Sequence, residues 1–269
     1  MKYSRHEDYH PEMITLSERA LLSIWPSLAD YHRDLVLVGG LVTHYICVSQ
    51  ADILPAVTMD VDLGITLAAS PLRYEAISAR LAELGFKRED RRFVKRIGGI
   101  PIPLDFLMEA VDEPNAGAQD QLAAAVFPGI ERALLINREC AISGPDFSGT
   151  EQRCNIRVCE AGAYLVLKLN AFASRQLPKD AFDIHRAVLH YDRGPRAAAA
   201  LFAAEQGVNS GYPQAREALA KYFSELGQEG PQHGAEFFLG KNPIGEAAQA
   251  ERQRRLEEFV TLGRTLLEE

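Results

Sequence analysis

The chain predicts an α+β fold, with an N-terminal half of mixed strands and helices and a helical C-terminal half. Three observations carry this reading. Leu35-Val36-Leu37-Val38 is a short apolar run rich in β-branched residues that stops at Gly39-Gly40. Val57–Thr66 alternates Val61, Leu63 and Ile65 with Asp60, Asp62 and Gly64, the two-residue period of a strand. From Glu160 onward the strand patterning stops and each segment carries apolar residues at helical spacing. This change predicts two domains, 1–159 and 160–269.

The elements follow in order. Ile14, Leu16, Leu21, Leu22 and Ile24 predict a helix over Pro11–Ala29, with Ser17 opening a Ser-Glu-Arg-Ala start suited to a helix N-terminus. Strand Leu35–Val38 leads through the double glycine into a helix over Leu41–Val48. A second strand covers Val57–Thr66. Pro71–Leu84 is an amphipathic helix closed by Gly85. Phe86–Arg88, Arg92–Ile97 and Ile100–Leu107 predict three further strands, the last two joined at Gly98-Gly99. Ala110–Phe127 is irregular. Ala133–Ile136 and Asn155–Val158 each predict a strand. The helices expected beyond are Ala161–Arg175, Pro178–Tyr191, Pro195–Glu205, Pro213–Leu226 and Gly245–Leu267.

Composition excludes several classes. At 269 residues, 47% hydrophobic and 25% charged, the chain is long and apolar enough for a packed core. Every apolar run is broken by glycine or charge well short of bilayer-spanning length, which predicts no membrane partner. The opening MKYSRHEDYHPEM has no apolar signal-peptide region, and Cys47, Cys140, Cys154 and Cys159 form no C-x-x-C pair. Reduced thiols and a cytoplasmic location are therefore expected. A net charge of −8 argues against a general nucleic-acid coating protein, although Arg88, Arg91, Arg92, Lys95 and Arg96 concentrate positive charge within nine residues. That cluster suits either phosphates of an acceptor or a solvated hairpin.

Three features suggest chemistry. Gly39-Gly40 lies between a strand and a helix, where the missing Cβ atoms let a phosphate approach the backbone; a plain tight turn would use the same residues. Asp60 and Asp62 alternate along a strand, so both carboxylates face the same way and repel unless a cation lies between them. Magnesium, bound by one or two carboxylates and by substrate phosphates, is the natural occupant. Asp105 is a single acid in the apolar strand Ile102-Pro103-Leu104-Asp105-Phe106-Leu107, and a buried carboxylate needs a partner or a metal. A solvated strand end is the alternative for each acid.

Taken together, VLVGGLVTHYI, TMDVDLGI and IPLDFL resemble the polymerase-β-like nucleotidyltransferases over Leu35–Leu107. Gly40 stands where that family more often has serine. The stretch AYLVLKLNAFASRQLPKDAFDIHRAV resembles the helical motif of the AbiEii-type toxin nucleotidyltransferases, at Lys168, Ala171, Arg175, Lys179, Asp180 and Asp183. The resemblance implies a polymerase-β-like nucleotidyltransferase domain followed by a helical domain. It implies an enzyme whose Asp60, Asp62 and Asp105 are the catalytic and metal-holding residues for Mg²⁺ or Mn²⁺. Gly39, Gly40, Lys168, Arg175 and Asp183 would bind the nucleotide. It further implies an NTP substrate such as ATP, an RNA acceptor such as the 3′ end of tRNA, and an antitoxin partner. A small-molecule acceptor of the antibiotic type and an inactive nucleotide-binding module are the alternatives. His44, one turn after Gly40, and Thr58 are lesser candidates.

Overall fold

The computed structural model describes residues 3–10, 12–66, 71–109 and 122–268. Pro11, where the first predicted helix opens, and residues 110–121 of the irregular segment lie outside the described residues. The fold is α+β with a mixed sheet. The chain divides into two compact units, and neither is a single run of sequence. One comprises Pro11–Tyr45 and Val57–Glu160, the other Met1–His10, Ile46–Ala56 and Ala161–Glu269.

The first unit holds the sheet. Its strands are β1 (Leu35–Val38), β2 (Val61–Ile65), β3 (Lys87–Glu89), β4 (Arg92–Ile97), β5 (Ile100–Met108), β6 (Ala125–Val126), β7 (Asn137–Pro145) and β8 (Glu151–Cys159). They lie in the order β3-β4-β5-β2-β1-β8-β7, with β6 also paired to β5. The β2/β5, β1/β8 and β5/β6 pairs are parallel and the others antiparallel. β1 sits inside this order, and all four of its residues are buried. A strand covered on both faces reads as a continuous apolar run, which is why LVLV does not alternate. Gly98 and Gly99 form the two-residue link between Ile97 and Ile100 that the sequence predicts. The helices of this unit are α1 (Glu12–Ser27), α2 (Val42–Ile46), α3 (Pro71–Glu83) and α4 (Ile130–Leu135). α1 packs on β7 and β8, burying Leu21, Ile24 and Trp25, and α4 packs on β1 and β2.

Several local expectations are corrected. α1 opens at Glu12, so Ser17 is an interior residue of the helix and is buried. β2 begins at Val61, because the Thr58 hydroxyl accepts the Asp60 N–H and donates to the Asp60 carbonyl, both at 3.3 Å. Such local bonds replace ladder pairing. The strand expected over Ala133–Ile136 falls mostly in helix α4. The Glu109 carboxylate accepts the N–H groups of Gly129 and Glu131, each at 2.9 Å, and so satisfies donors at the start of that helix. β7 carries no strand prediction, because most of its residues are at least partly exposed and its sequence is polar.

The second unit is helical: α5 (Ala161–Arg175), α6 (Pro178–Leu189), α7 (Pro195–Ala203), α8 (Tyr212–Phe223), α9 (Glu229–Leu239) and α10 (Glu246–Glu268). α5 packs against α6, α7 and α8, while α9 packs against α6 and α10. Phe172 meets Phe223 with ring centroids 4.9 Å apart, and Phe182 meets Phe237 at 4.8 Å. The Ile46–Ala56 segment is held here by backbone and side-chain bonds. Val48 N–H donates to the His190 carbonyl at 2.8 Å, and the Arg186 guanidinium donates to the carbonyls of Leu54 and Val48. α9 is unpredicted by sequence because Gly230, Pro231 and Gly234 break its pattern. At Gly234 the Phe259 ring takes the side-chain space, and a Cβ would lie 2.1 Å from it. Among the described residues, no helix is long and apolar enough to cross a membrane.

Close helix contact also explains Gly162, where a Cβ would stand 2.3 Å from the Leu201 carbonyl oxygen of α7. Backbone cannot rotate away as a side chain can. Gly162→Ala is expected to lose about 1–3 kcal/mol in denaturant unfolding. Gly227→Ala, which meets nothing within 4 Å, should change stability by no more than about 0.5 kcal/mol. Equal effects at the two sites would rule out the packing explanation.

Candidate metal centre

The sheet register assembles the site. Asp62 pairs with Asp105 across parallel β2 and β5, and register partners send their side chains to one face. Asp60 lies two residues before Asp62 and shares that face. One carboxylate oxygen from each of Asp60, Asp62 and Asp105 lies within 4.8 Å of the others. Asp60 is buried, while Asp62 and Asp105 are partly exposed, so the cluster opens toward solvent on one side.

Gly39 lies against the cluster. Val38 pairs with Asp62, so the chain turns out of β1 directly beside the second aspartate. Gly39 has φ of +74°, and a Cβ there would stand 1.8 Å from Asp62 Oδ2. Two independent reasons thus demand glycine: the left-handed backbone and the carboxylate against its Cα. The Thr43 hydroxyl donates to the Gly40 carbonyl at 3.1 Å and fixes the following turn. α2 is only five residues long, too short for a substantial summed dipole. The space left by the missing Gly39 side chain is taken by the Asp62 carboxylate.

Three carboxylates this close repel, and Arg92 supplies a positive charge. The antiparallel register of β4 and β5, Phe93 to Leu104, carries Arg92 opposite Asp105. The guanidinium grips both oxygens of Asp105, with Nε to Oδ1 at 3.0 Å and Nη2 to Oδ2 the shorter arm, and Nη2 stands 3.7 Å from Asp60 Oδ2. Burial opposes the guanidinium charge, but the bond to Asp105 and the nearby aspartates outweigh it and raise its pKa above the ordinary value. Sequence reasoning counts Arg92 only as one of a basic cluster. That cluster does not act as a unit: Arg96 pairs with Glu89, and Lys95 donates to the Leu84 carbonyl at 2.6 Å. The signal that separates Arg92 is the strand register, once Ile97 and Ile100 are known to pair.

The donor set is all oxygen, anionic and partly open. That chemistry fits a hard divalent cation such as Mg²⁺ or Mn²⁺ better than zinc, which favours His and Cys.

The residues from the second motif meet in the helical unit. The Lys168 ammonium donates to Asp183 Oδ2 at 2.7 Å and to Asp180 Oδ1 at 3.3 Å. Lys179 donates to the same Asp183 oxygen at 2.6 Å, and Arg175 forks onto both oxygens of Asp180 at 2.6 and 2.8 Å. Lys168, Lys179, Asp180 and Asp183 are buried, whereas 41% of the Arg175 side chain is exposed. Burial works against the Lys168 charge, but Asp183 and Asp180 outweigh it and raise the lysine pKa. His44 turns to Glu18 at 3.3 Å, and the Tyr45 hydroxyl donates to the same carboxylate at 3.0 Å. Burial pushes Glu18 upward, yet these two partners hold it below the usual carboxylate range.

Gly39→Ala is expected to displace Asp62 and weaken Mn²⁺ binding by about tenfold or more, as changes just outside a ligand shell do. Calorimetric titration of the folded variant measures this; an affinity equal to that of the unsubstituted chain would remove Gly39 from the site. The chain matches no protein-family model, no curated protein and no solved structure, so its function is inferred from its own residues.

Proposed function

We propose that the chain is a divalent-metal-dependent nucleotidyltransferase that moves NMP from an NTP to an acceptor hydroxyl. The observation that carries this reading is the Asp62–Asp105 register pair, joined by Asp60 beside the Gly39 turn. A strand, a Gly-Gly turn, a short helix, an antiparallel strand with D-x-D and a parallel strand with one aspartate make a compact catalytic arrangement. Gly39, Asp60 and Asp105 are twenty or more residues apart in sequence, and the sheet brings β1, β2 and β5 side by side.

Asp60, Asp62 and Asp105 would hold Mg²⁺ or Mn²⁺, which supplies charge neutralisation for the phosphates and the leaving pyrophosphate. Asp105 would take the acceptor proton as the hydroxyl oxygen attacks the α-phosphorus. A new P–O ester bond forms, the α–β phosphoanhydride bond breaks, and pyrophosphate leaves with the electron pair. Asp60, the most buried of the three and fixed by Thr58 through its backbone, keeps the cluster in place. The Gly39 turn lets Asp62 lie against the backbone and so keeps that carboxylate in the cluster.

The sequence resemblance implies nucleotide-binding roles for Lys168, Arg175 and Asp183 of the helical unit. Arg175 suits this best, because its guanidinium reaches solvent while Asp180 orients it. Lys168 and Asp183 support it from within by holding the helix pair together. The same resemblance points to an RNA 3′ end as acceptor and to an antitoxin as partner.

The test is transfer of label from α-phosphate-labelled NTPs, in Mg²⁺ or Mn²⁺, to total tRNA or to small hydroxyl-bearing acceptors. Label should move to RNA, and Asp60→Ala should reduce transfer by about a hundredfold or more. Label on small molecules alone would keep the chemistry and change the acceptor. Nucleotide binding without transfer to any acceptor, or full transfer by Asp60→Ala, would refute the catalytic reading.

A further inference from the structure

The grip of Arg92 on Asp105 has a consequence for the site as a whole. Both Asp105 oxygens are engaged by one guanidinium, which also stands 3.7 Å from Asp60. Of the three carboxylates, two therefore share a positive charge supplied by the chain itself. We infer that Arg92 is a built-in counter-ion that holds Asp105 in register and competes with a divalent cation for it. This inference rests on the metal-site reading and adds a control element to it.

The physical case has three parts. A bidentate Arg–carboxylate pair is among the stronger and more directional side-chain contacts, so Asp105 is held in a single orientation. The cluster without a cation would contain three like charges within 4.8 Å; with Arg92 the imbalance falls by one. A cation placed among the same oxygens would meet a second positive charge a few ångströms away, in a site only partly open to water. Each carboxylate oxygen retains a second lone pair, so Arg92 weakens cation binding without excluding it. Arg92 keeps about a third of its side chain exposed, so the guanidinium has solvent beside it.

Arg92 is thus a positioning residue acting through Asp105. The arrangement sets a threshold for metal loading: removal of the guanidinium charge strengthens cation binding while weakening the metal-free fold. A merely structural arginine would give the second effect alone.

The test is Mn²⁺ titration by calorimetry on the full chain without nucleotide, together with thermal unfolding in chelator. Arg92→Gln should bind Mn²⁺ about tenfold more tightly than the unsubstituted chain and melt at a lower temperature in chelator. Added Mn²⁺ should restore more of its melting temperature. Arg92→Lys keeps the charge but loses the fork and should fall between the two, giving a second reading if the glutamine variant does not fold. Asp62→Asn should lose Mn²⁺ binding. Equal or weaker Mn²⁺ affinity in the Arg92 variants would overturn the inference while leaving the metal site intact. Absence of Mn²⁺ binding in every form would overturn the inference and the metal site together.

Discussion

Repulsion among three carboxylates is the constraint on which the sheet unit is arranged. Asp60, Asp62 and Asp105 face one another because three strands are held in register, and that register is set by apolar residues. Leu35, Leu37, Val61, Leu63, Leu104 and Phe106 are all buried. Shifting β2 or β5 by one residue would put Val61 and Leu63, or Leu104 and Phe106, on the face that carries the acids. Hydrophobic pairing therefore fixes the acids where electrostatics alone would separate them. Arg92 and the Gly39 turn are the local adjustments that let the arrangement stand. One supplies charge, and the other leaves space for Asp62 Oδ2.

The helical unit meets a similar problem in another way. Lys168, Lys179 and Arg175 face Asp180 and Asp183, so each buried acid has cationic partners within the chain itself. Breaking one partner of such a network is costly because a charge is left buried without compensation. In the sheet unit, Arg92 pairs with Asp105 and stands near Asp60, in a cluster of three acids of which two are partly exposed. The first cluster has three cations for two acids and is buried except at Arg175. The second is an acidic group that could hold a metal ion.

Much of this was legible in the sequence, for physical reasons. LVLV ending in two glycines reports a strand buried on both faces followed by a tight turn. The alternation around Asp60 and Asp62 reports the shared face. A lone Asp105 in an apolar strand reports a carboxylate that needs company. Helical spacing lets Asp183 pair back to either Lys168 or Arg175, and the structure joins it to Lys168 and Lys179. Other features depend on contacts far away in sequence. α4 reads locally as a strand, and Glu109 helps to organise its start. The edge strand β7 lacks an apolar alternation because little of it is covered. α9 is obscured by glycines whose missing side chains are required by Phe223 and Phe259. Arg92 could not be distinguished from Arg88 or Arg96 until the pairing of β4 with β5 placed it opposite Asp105.

On the proposed reading, Asp60, Asp62 and Asp105 hold a divalent cation that binds the phosphates of a nucleoside triphosphate. Crystals grown with Mn²⁺ and a non-hydrolysable NTP, measured for anomalous scattering at the manganese edge, address it most directly. An anomalous peak ligated by Asp60, Asp62 and Asp105, with triphosphate oxygens among its ligands at about 2.0–2.2 Å, is the expected result. Manganese bound elsewhere, or a nucleotide bound with its phosphates away from these carboxylates, would contradict it.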